Sequence, residues 1–285
     1  MKRRWGGRLE NRVSTLLNRE RLDELFKLYH HRSYVHPDPL EFLYGYPKLQ
    51  DREIVALIAS SLAYGRVAQI LKSTSSVLER IGRSPFSFLH HSTRKQLFSL
   101  FSDFKHRFTT GEELASMLWG VKHVLMEYCS LHDCFVSTLD EEDDIILPAL
   151  SRFMTLFRKN MPVVRNSLLP SPEKGSACKR LNLFLRWMVR EDDVDPGGWG
   201  HVPAAKLIIP LDTHMHKIGL MLHLTGRKQA DIRTAIEITH AFRSIAPDDP
   251  VRYDFVLTRL GIRGEIKPEA FVKACGKRGS KKPTF

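Results

Sequence analysis

Leu181, Phe184, Leu185 and Met188 fall at i, i+3, i+4 and i+7, a single apolar stripe along an α-helix. The same period returns at Ile54, Leu57, Ile58 and Leu62, and again at Ile232, Ala235, Ile236 and Thr239. Period-two alternation is sustained nowhere, and no internal repeat or low-complexity tract breaks the pattern. A chain patterned this way buries helix against helix, so the expected fold class is all-α. With 285 residues, 42% of them hydrophobic, it can bury one large domain or two closely packed lobes.

The stripe on the Leu181 helix leaves Lys179, Asn182, Arg186 and Arg190 on the opposite face. Such a face is either solvated or the wall of a cleft. A Gly/Pro-rich connector, Asp192 to His201, follows, and Asp212 then stands before Thr213-His214-Met215, placed to cap the free N–H groups of the next helix. Capping alone accounts for an aspartate there. A carboxylate fixed at a helix start by N–H donors and the helix dipole also meets the needs of a catalytic anion.

The run Pro210-Leu211-Asp212-Thr213-His214-Met215-His216-Lys217-Ile218 resembles the segment that carries the essential aspartate in the helix-hairpin-helix DNA glycosylase superfamily. Lys179, after Leu169-Pro170 and Gly175, matches the superfamily's lysine at the start of the helix leaving the hairpin, with Lys174 as a competitor for that place. The 33-position interval from Lys179 to Asp212 is longer than in the common members, whose Gly-x-Gly turn is absent here. It is closer to the archaeal 8-oxoguanine DNA glycosylase branch. The chain as a whole looks like a family of uncharacterised bacterial proteins sharing this central block.

The resemblance implies a two-lobed fold with its active site between the lobes. Lobe one spans about 49–205, and lobe two combines 9–48 with 206–275. A basic arm, 1–8, and a basic tail, 276–285, flank them. It implies base excision with Lys179 as nucleophile and Asp212 as the activating carboxylate, with or without strand cleavage by β-elimination. Asp254 takes the place of an aspartate that helps recognise the base; the aromatic one turn later in that branch is replaced by Thr258. Arg186 is assigned to the same base-recognition group, and its charge beside Lys179 favours the neutral amine. Tyr64, Arg66 and the hairpin glycine Gly175 are placed at the DNA, the first two in a loop that probes around a flipped nucleotide.

Charge agrees with a polyanionic partner, here damaged duplex DNA. The formal net charge is +12. Lys2, Arg3, Arg4, Arg8, Lys273, Lys277, Arg278, Lys281 and Lys282 lie at the two ends, leaving +3 between them, and Asp140-Glu141-Glu142-Asp143-Asp144 concentrates negative charge in one expected exposed loop. The charge is therefore polarised rather than merely positive. Solubility explains part of it.

Cys129, Cys134, Cys178 and Cys275 form no Cys-x-x-Cys pair, which argues against a disulfide framework, a zinc finger or an iron–sulfur cluster. No cofactor is expected. The basic start lacks an apolar run, and no stretch is long and apolar enough to span a membrane. The expectation is a cytoplasmic monomer.

Further local readings complete the map. Arg12 to Tyr29 reads as one or two helices, broken by the segment holding His30, His31, His36, Pro37, Asp38 and Pro39. Those histidines match no standard metal spacing. Asp51 is placed as the cap of the Ile54 helix, and Asp231 as the cap of the Ile232 helix. Thr225-Gly226 is placed at the end of the Asp212 helix; Asp249-Pro250 is read as a helix start with Gly261 just past the end. Phe101, Phe104 and Phe108, at i, i+3 and i+7, read as core despite the basic residues among them.

Two other classes stay open. A non-catalytic DNA- or RNA-binding relative would use Lys179 and Asp212 as surface lysine and cap. A metal-dependent hydrolase would draw on Asp212, His214, His216 and His201 with Asp192, Asp193 or Asp195. Against the latter, His214 and His216 project about 200° apart on a helix.

Overall fold

A computed structural model describes residues 18–163 and 165–263. The basic arm and the basic tail lie outside the described residues. The chain is mostly helical, as expected, with one two-stranded sheet among the described residues.

In chain order the helices are α1 (Arg19–Tyr29), α2 (Leu49–Ser61), α3 (Val67–Ile81), α4 (Pro85–His91) and α5 (Arg94–Leu100). The hairpin β1 (Lys105–His106) and β2 (Thr109–Thr110) follows. Then come α6 (Gly111–Tyr128), α7 (Leu131–Val136), α8 (Leu147–Arg158), α9 (Lys179–Val189), α10 (Thr213–Met221), α11 (Ile232–Arg243) and α12 (Asp254–Arg263). Thr93 with Gln96, and Thr110 with Glu113, close reciprocal capping boxes that start α5 and α6. Asp231 caps α11 as expected, accepting from the Thr234 amide.

The core is built on α2, whose residues from Glu53 to Ser61 are all buried. Such a helix has no solvated face, so it must be covered all round. The turn Pro39–Gly45 and helix α9 pack against it. On the far side α10 packs on α12, and α12 on α1. These contacts put the starts of α9, α10 and α12 around one space.

Three boundaries differ from the sequence reading. Asp51 does not cap α2, which begins after Lys48. Its carboxylate instead accepts from Ser84 Oγ at 3.1 Å and the Phe86 amide at 2.9 Å, tying α2 to the start of α4. α10 ends at Met221 rather than at Thr225-Gly226. Asp249-Pro250 starts no helix; the chain turns through 250–253, and α12 begins at Asp254 and continues past Gly261. Asp249 fails as a cap because its carboxylate takes Arg190 Nε at 3.0 Å. The acidic run near residue 140 is an exposed loop, as expected.

One buried carboxylate gives the fold a pH signature. Glu53, fully buried, accepts from the Leu131 amide at 2.8 Å, the His132 amide at 3.1 Å and Trp199 Nε1 at 3.3 Å. Burial outweighs these donors and pushes its pKa up to about 7. A carboxyl raised in the folded state binds more protons there than when unfolded, so its contribution to stability is lost as pH rises from about 4.5 through about 7. Glu53→Gln, which turns an amide NH2 toward N–H donors, is expected to be less stable at pH 5. In urea unfolding its deficit should narrow by on the order of 3 kcal/mol by pH 8. A deficit constant across that range would remove Glu53 as its origin.

Candidate active site

Lys179 is the first residue of α9, preceded by Cys178 in the left-handed region at φ 49. That kink ends the irregular stretch after Gly175 and aims the first turn of α9 at the C-terminal end of α2. Lys179 Nζ donates to the Ala63 carbonyl at 3.1 Å. The next residue, Arg180, donates to the Ser61 and Ser167 carbonyls at 3.0 and 2.6 Å. The loop between α2 and α3 is therefore stapled to the start of α9.

Asp212 is the cap of α10, its Oδ1 accepting from the His214 and Met215 amides, both at 2.9 Å. The capping role expected from sequence is thus real. It leaves Oδ2 for other work, and Asp212 lines a cleft of about 480 Å³ together with Lys179. The same cleft is lined by Arg186, Asp254, Asp38, Arg259 and His214, with Gly65 and Val67 on the α2–α3 side. That volume falls within the range of about 300–1,000 Å³ typical of small-ligand sites. Lys174, the competing lysine, is exposed on the turn Pro172–Lys174 and does not line the cleft.

Burial pushes the Lys179 amine below the ordinary lysine range. The carboxylates of Asp212, Asp38 and Asp254 work against this by favouring the ammonium, and Arg180 adds to the lowering. The sequence reading gave that last part to Arg186, which is a correction. Arg186 is only 4% exposed and its charge is met locally: Nε and Nη2 donate to Asp195 Oδ1 at 3.2 and 3.0 Å, and Nη1 donates to Asp254 Oδ2. Its guanidinium thus holds Asp254 in the cleft wall instead of acting on the lysine.

Asp254, 2% exposed, is pushed up to about 6 by burial, an effect that Arg186 only partly offsets and that Asp212 and Asp195 reinforce. Its Oδ1 is buried without a protein partner. Protonated, such a carboxyl donates a hydrogen bond; ionised, it only accepts.

The remaining expected site residues sit differently. Arg66 is exposed at the start of α3. Tyr64 is half-buried, its hydroxyl held by the His106 carbonyl at 2.9 Å and Thr109 Oγ1 at 2.5 Å. Gly175 takes φ 76 and its amide donates to the Pro172 carbonyl at 3.0 Å, so it shapes the turn instead of offering an N–H to a phosphate. Of the residues of the metal-hydrolase alternative, Asp212 and His214 share the cleft and the others are engaged elsewhere. His216 Nε2 pairs with the Arg227 carbonyl at 2.8 Å, His201 lies beside His132, and Asp192 and Asp195 bind arginines. Among the described residues no group of three or more His, Cys, Asp or Glu is arranged around a metal position.

Sequence reasoning missed Asp38 and Arg259. Arg259 Nη2 donates to Asp38 Oδ2 at 2.7 Å and to the Val35 carbonyl at 2.6 Å, and both side chains line the cleft with Lys179. The signal was present in the Pro-Asp-Pro run 37–39, read only as a helix break.

These features define a helical protein with a small cleft carrying a half-buried lysine, a capping aspartate and a raised carboxyl. Residues 38–263 match the family described as "Protein of unknown function (DUF2400)", and the chain belongs to that family. The match takes in every cleft residue named above. No curated protein and no solved structure matches the chain.

Proposed function

We propose that this protein is a DNA glycosylase that excises an oxidised purine such as 8-oxoguanine, with Lys179 as nucleophile and Asp212 as the activating carboxylate. The observation that carries the reading is that Lys179, Asp212 and Asp254, the three residues matched to the helix-hairpin-helix glycosylases, line one cleft. The fold proposed with it is the two-lobed one, the α2–α3 loop and the start of α9 forming one wall and Asp38, Asp212 and α12 the other.

In this mechanism a damaged base leaves the duplex at a cost of a few kcal/mol in unstacking and enters the cleft. The neutral Lys179 amine attacks C1′ as the bond from C1′ to the base nitrogen breaks. The electron pair leaves with the base, which takes up a proton. Asp212 stabilises the positive charge that develops on the sugar. Loss of the amine's proton and opening of the sugar ring give a Schiff base, from which β-elimination releases the 3′ phosphate. Asp254, with its raised pKa, offers the departing base a donor or an acceptor.

The test is borohydride reduction during incubation with a duplex carrying one 8-oxoguanine at low salt. A covalent protein–DNA adduct is expected. No adduct and no base release across a panel of lesions, with DNA binding intact, would replace the enzyme by the non-catalytic binding protein.

Asp212→Asn separates cap from charge. Asparagine caps helices about as well as aspartate, so urea unfolding should shift by less than about 1 kcal/mol. Asp212 raises the Lys179 pKa, so its loss should move the midpoint of the single-turnover pH profile downward. The plateau rate should fall on the order of a hundredfold as the carboxylate is lost. A midpoint moving upward would contradict the electrostatic assignment.

A further inference from the structure

Phe108 occupies an unexpected place. Instead of joining Phe101 and Phe104 in the core, it stands at the tip of the β1–β2 hairpin with 61% of its surface exposed. The pairs Lys105 with Thr110 and His106 with Thr109 leave Arg107 and Phe108 as a two-residue turn. Arg107 takes φ 56 there, a left-handed conformation that a glycine would adopt more readily. The hairpin is firmly seated: His106 is buried, bonded to Ser73 Oγ at 2.9 Å and to the Tyr64 carbonyl at 3.1 Å, and Thr109 Oγ1 meets Ser167 Oγ at 2.6 Å. A rigid base thus presents an exposed aromatic.

One face of the Phe108 ring stacks on Tyr64, with centroids 5.0 Å apart and planes at 27°. The guanidiniums of Arg180 and Arg107 lie 5.0 and 5.9 Å from the Tyr64 centroid. Lys105, Arg107 and Arg66 are exposed around this stack. The stack also borders the cleft. A Cβ built on Gly65, which lines the cleft, would come within 2.8 Å of Arg107 Cδ, and the neighbouring Ala63 carbonyl holds Lys179. An aromatic with one covered face, one open face and a cationic border is suited to a nucleobase and its phosphates.

We propose that the Phe108–Tyr64 pair is a stacking platform for DNA, on which the base flanking the nucleotide held in the cleft rests against the open face of Phe108, while Arg107 meets its phosphate. This rests on the DNA reading of the cleft but not on catalysis.

The test is fluorescence anisotropy with a duplex containing one abasic-site analogue, at two or more salt concentrations. Phe108→Ala is expected to bind about tenfold more weakly with an unchanged salt slope, as loss of one stacked base predicts. Phe108→Trp should bind within about threefold of wild type, and its added emission should be quenched by DNA. Arg107→Gly relieves the left-handed residue, so thermal stability should hold or rise while the salt slope falls by about one. Phe108→Ala binding within twofold of wild type, with no quenching in Phe108→Trp, overturns the platform. Wild-type protein that binds no DNA overturns the platform and the parent reading together. Phe108-dependent binding without base release keeps the platform and sinks the glycosylase alone.

Discussion

Lys179→Gln is expected to lower single-turnover base release by about a thousandfold or more and to abolish the borohydride adduct, while DNA binding changes little. In the proposed mechanism Lys179 is the nucleophile, and a nucleophile has no substitute in a displacement, so its removal leaves only binding and electrostatic stabilisation. The Lys179 bond to the Ala63 carbonyl is lost or lengthened in the glutamine variant, but Arg180 still donates to the Ser61 carbonyl at 3.0 Å, so the tie between α9 and the end of α2 can persist. The pH profile of the wild type supplies the second half of the test. Burial lowers the Lys179 pKa, and in the proposed mechanism the neutral amine is the reactive form. The rate should therefore rise with pH and level off below the pH at which an ordinary lysine deprotonates. Arg180→Gln removes the positive neighbour that assists the lowering, so its profile should shift to higher pH. Base release that survives in Lys179→Gln would strip the residue of its role whatever the profile shows.

The sequence carried the local part of this site and not its surroundings. Asp212 and Lys179 were legible because helix starts are written in short windows: an apolar stripe, a capping side chain, a turn before it. Asp254 was placed by resemblance, yet its helix start was put four residues early, at Pro250 with Asp249 as cap, because Asp-Pro is a start signal in isolation. Here the carboxylate of Asp249 is taken by Arg190, a partner 59 positions away that no window contains. The same long reach explains Asp51, drawn away from its helix by the Phe86 amide. Phe108 was misassigned because a helical period was extended through Lys105–Thr110, where two short strands turn it out to solvent. Asp38 and Arg259 meet from the two ends of the described chain, partners 221 positions apart that no window contains.

The largest stability effect is expected from Arg186→Met, a loss of about 3–5 kcal/mol in urea unfolding at pH 7. Arg186 and Arg190, on the face of α9 that sequence alone leaves either solvated or lining a cleft, are both buried. The connector after α9 folds back and supplies their partners, with Asp195 fully buried between Arg186 Nη2 at 3.0 Å and Arg190 Nη1 at 2.8 Å. Arg190 also meets Asp192 at 2.8 Å and Asp249 at 3.0 Å, and Asp192 reaches His30 at 2.8 Å. Burial works against the Asp192 carboxylate, but the His30 ring, Arg190 and backbone donors together hold its pKa well below the usual range. Methionine fills the arginine's apolar stem but leaves Asp195 and Asp254 with one cation fewer in a dry interior. The pH dependence identifies the cause. Asp254 is pushed up to about 6 with Arg186 present, and Arg186 is what restrains it, so in the variant its folded pKa rises further. A carboxyl raised in this way loses its contribution as pH rises, and the deficit of Arg186→Met should deepen between pH 5 and pH 8. Asp254→Asn added to Arg186→Met should flatten that slope and recover part of the stability, because the unpaired charge is gone. In Arg186→Met alone, base release that falls further than the folded fraction accounts for would assign the network to positioning Asp254 as well as to holding the fold. An Arg186→Met deficit that is flat in pH would mean instead that Asp254 does not share its charge with Arg186, and the ion-paired wall of the cleft would have to be redrawn.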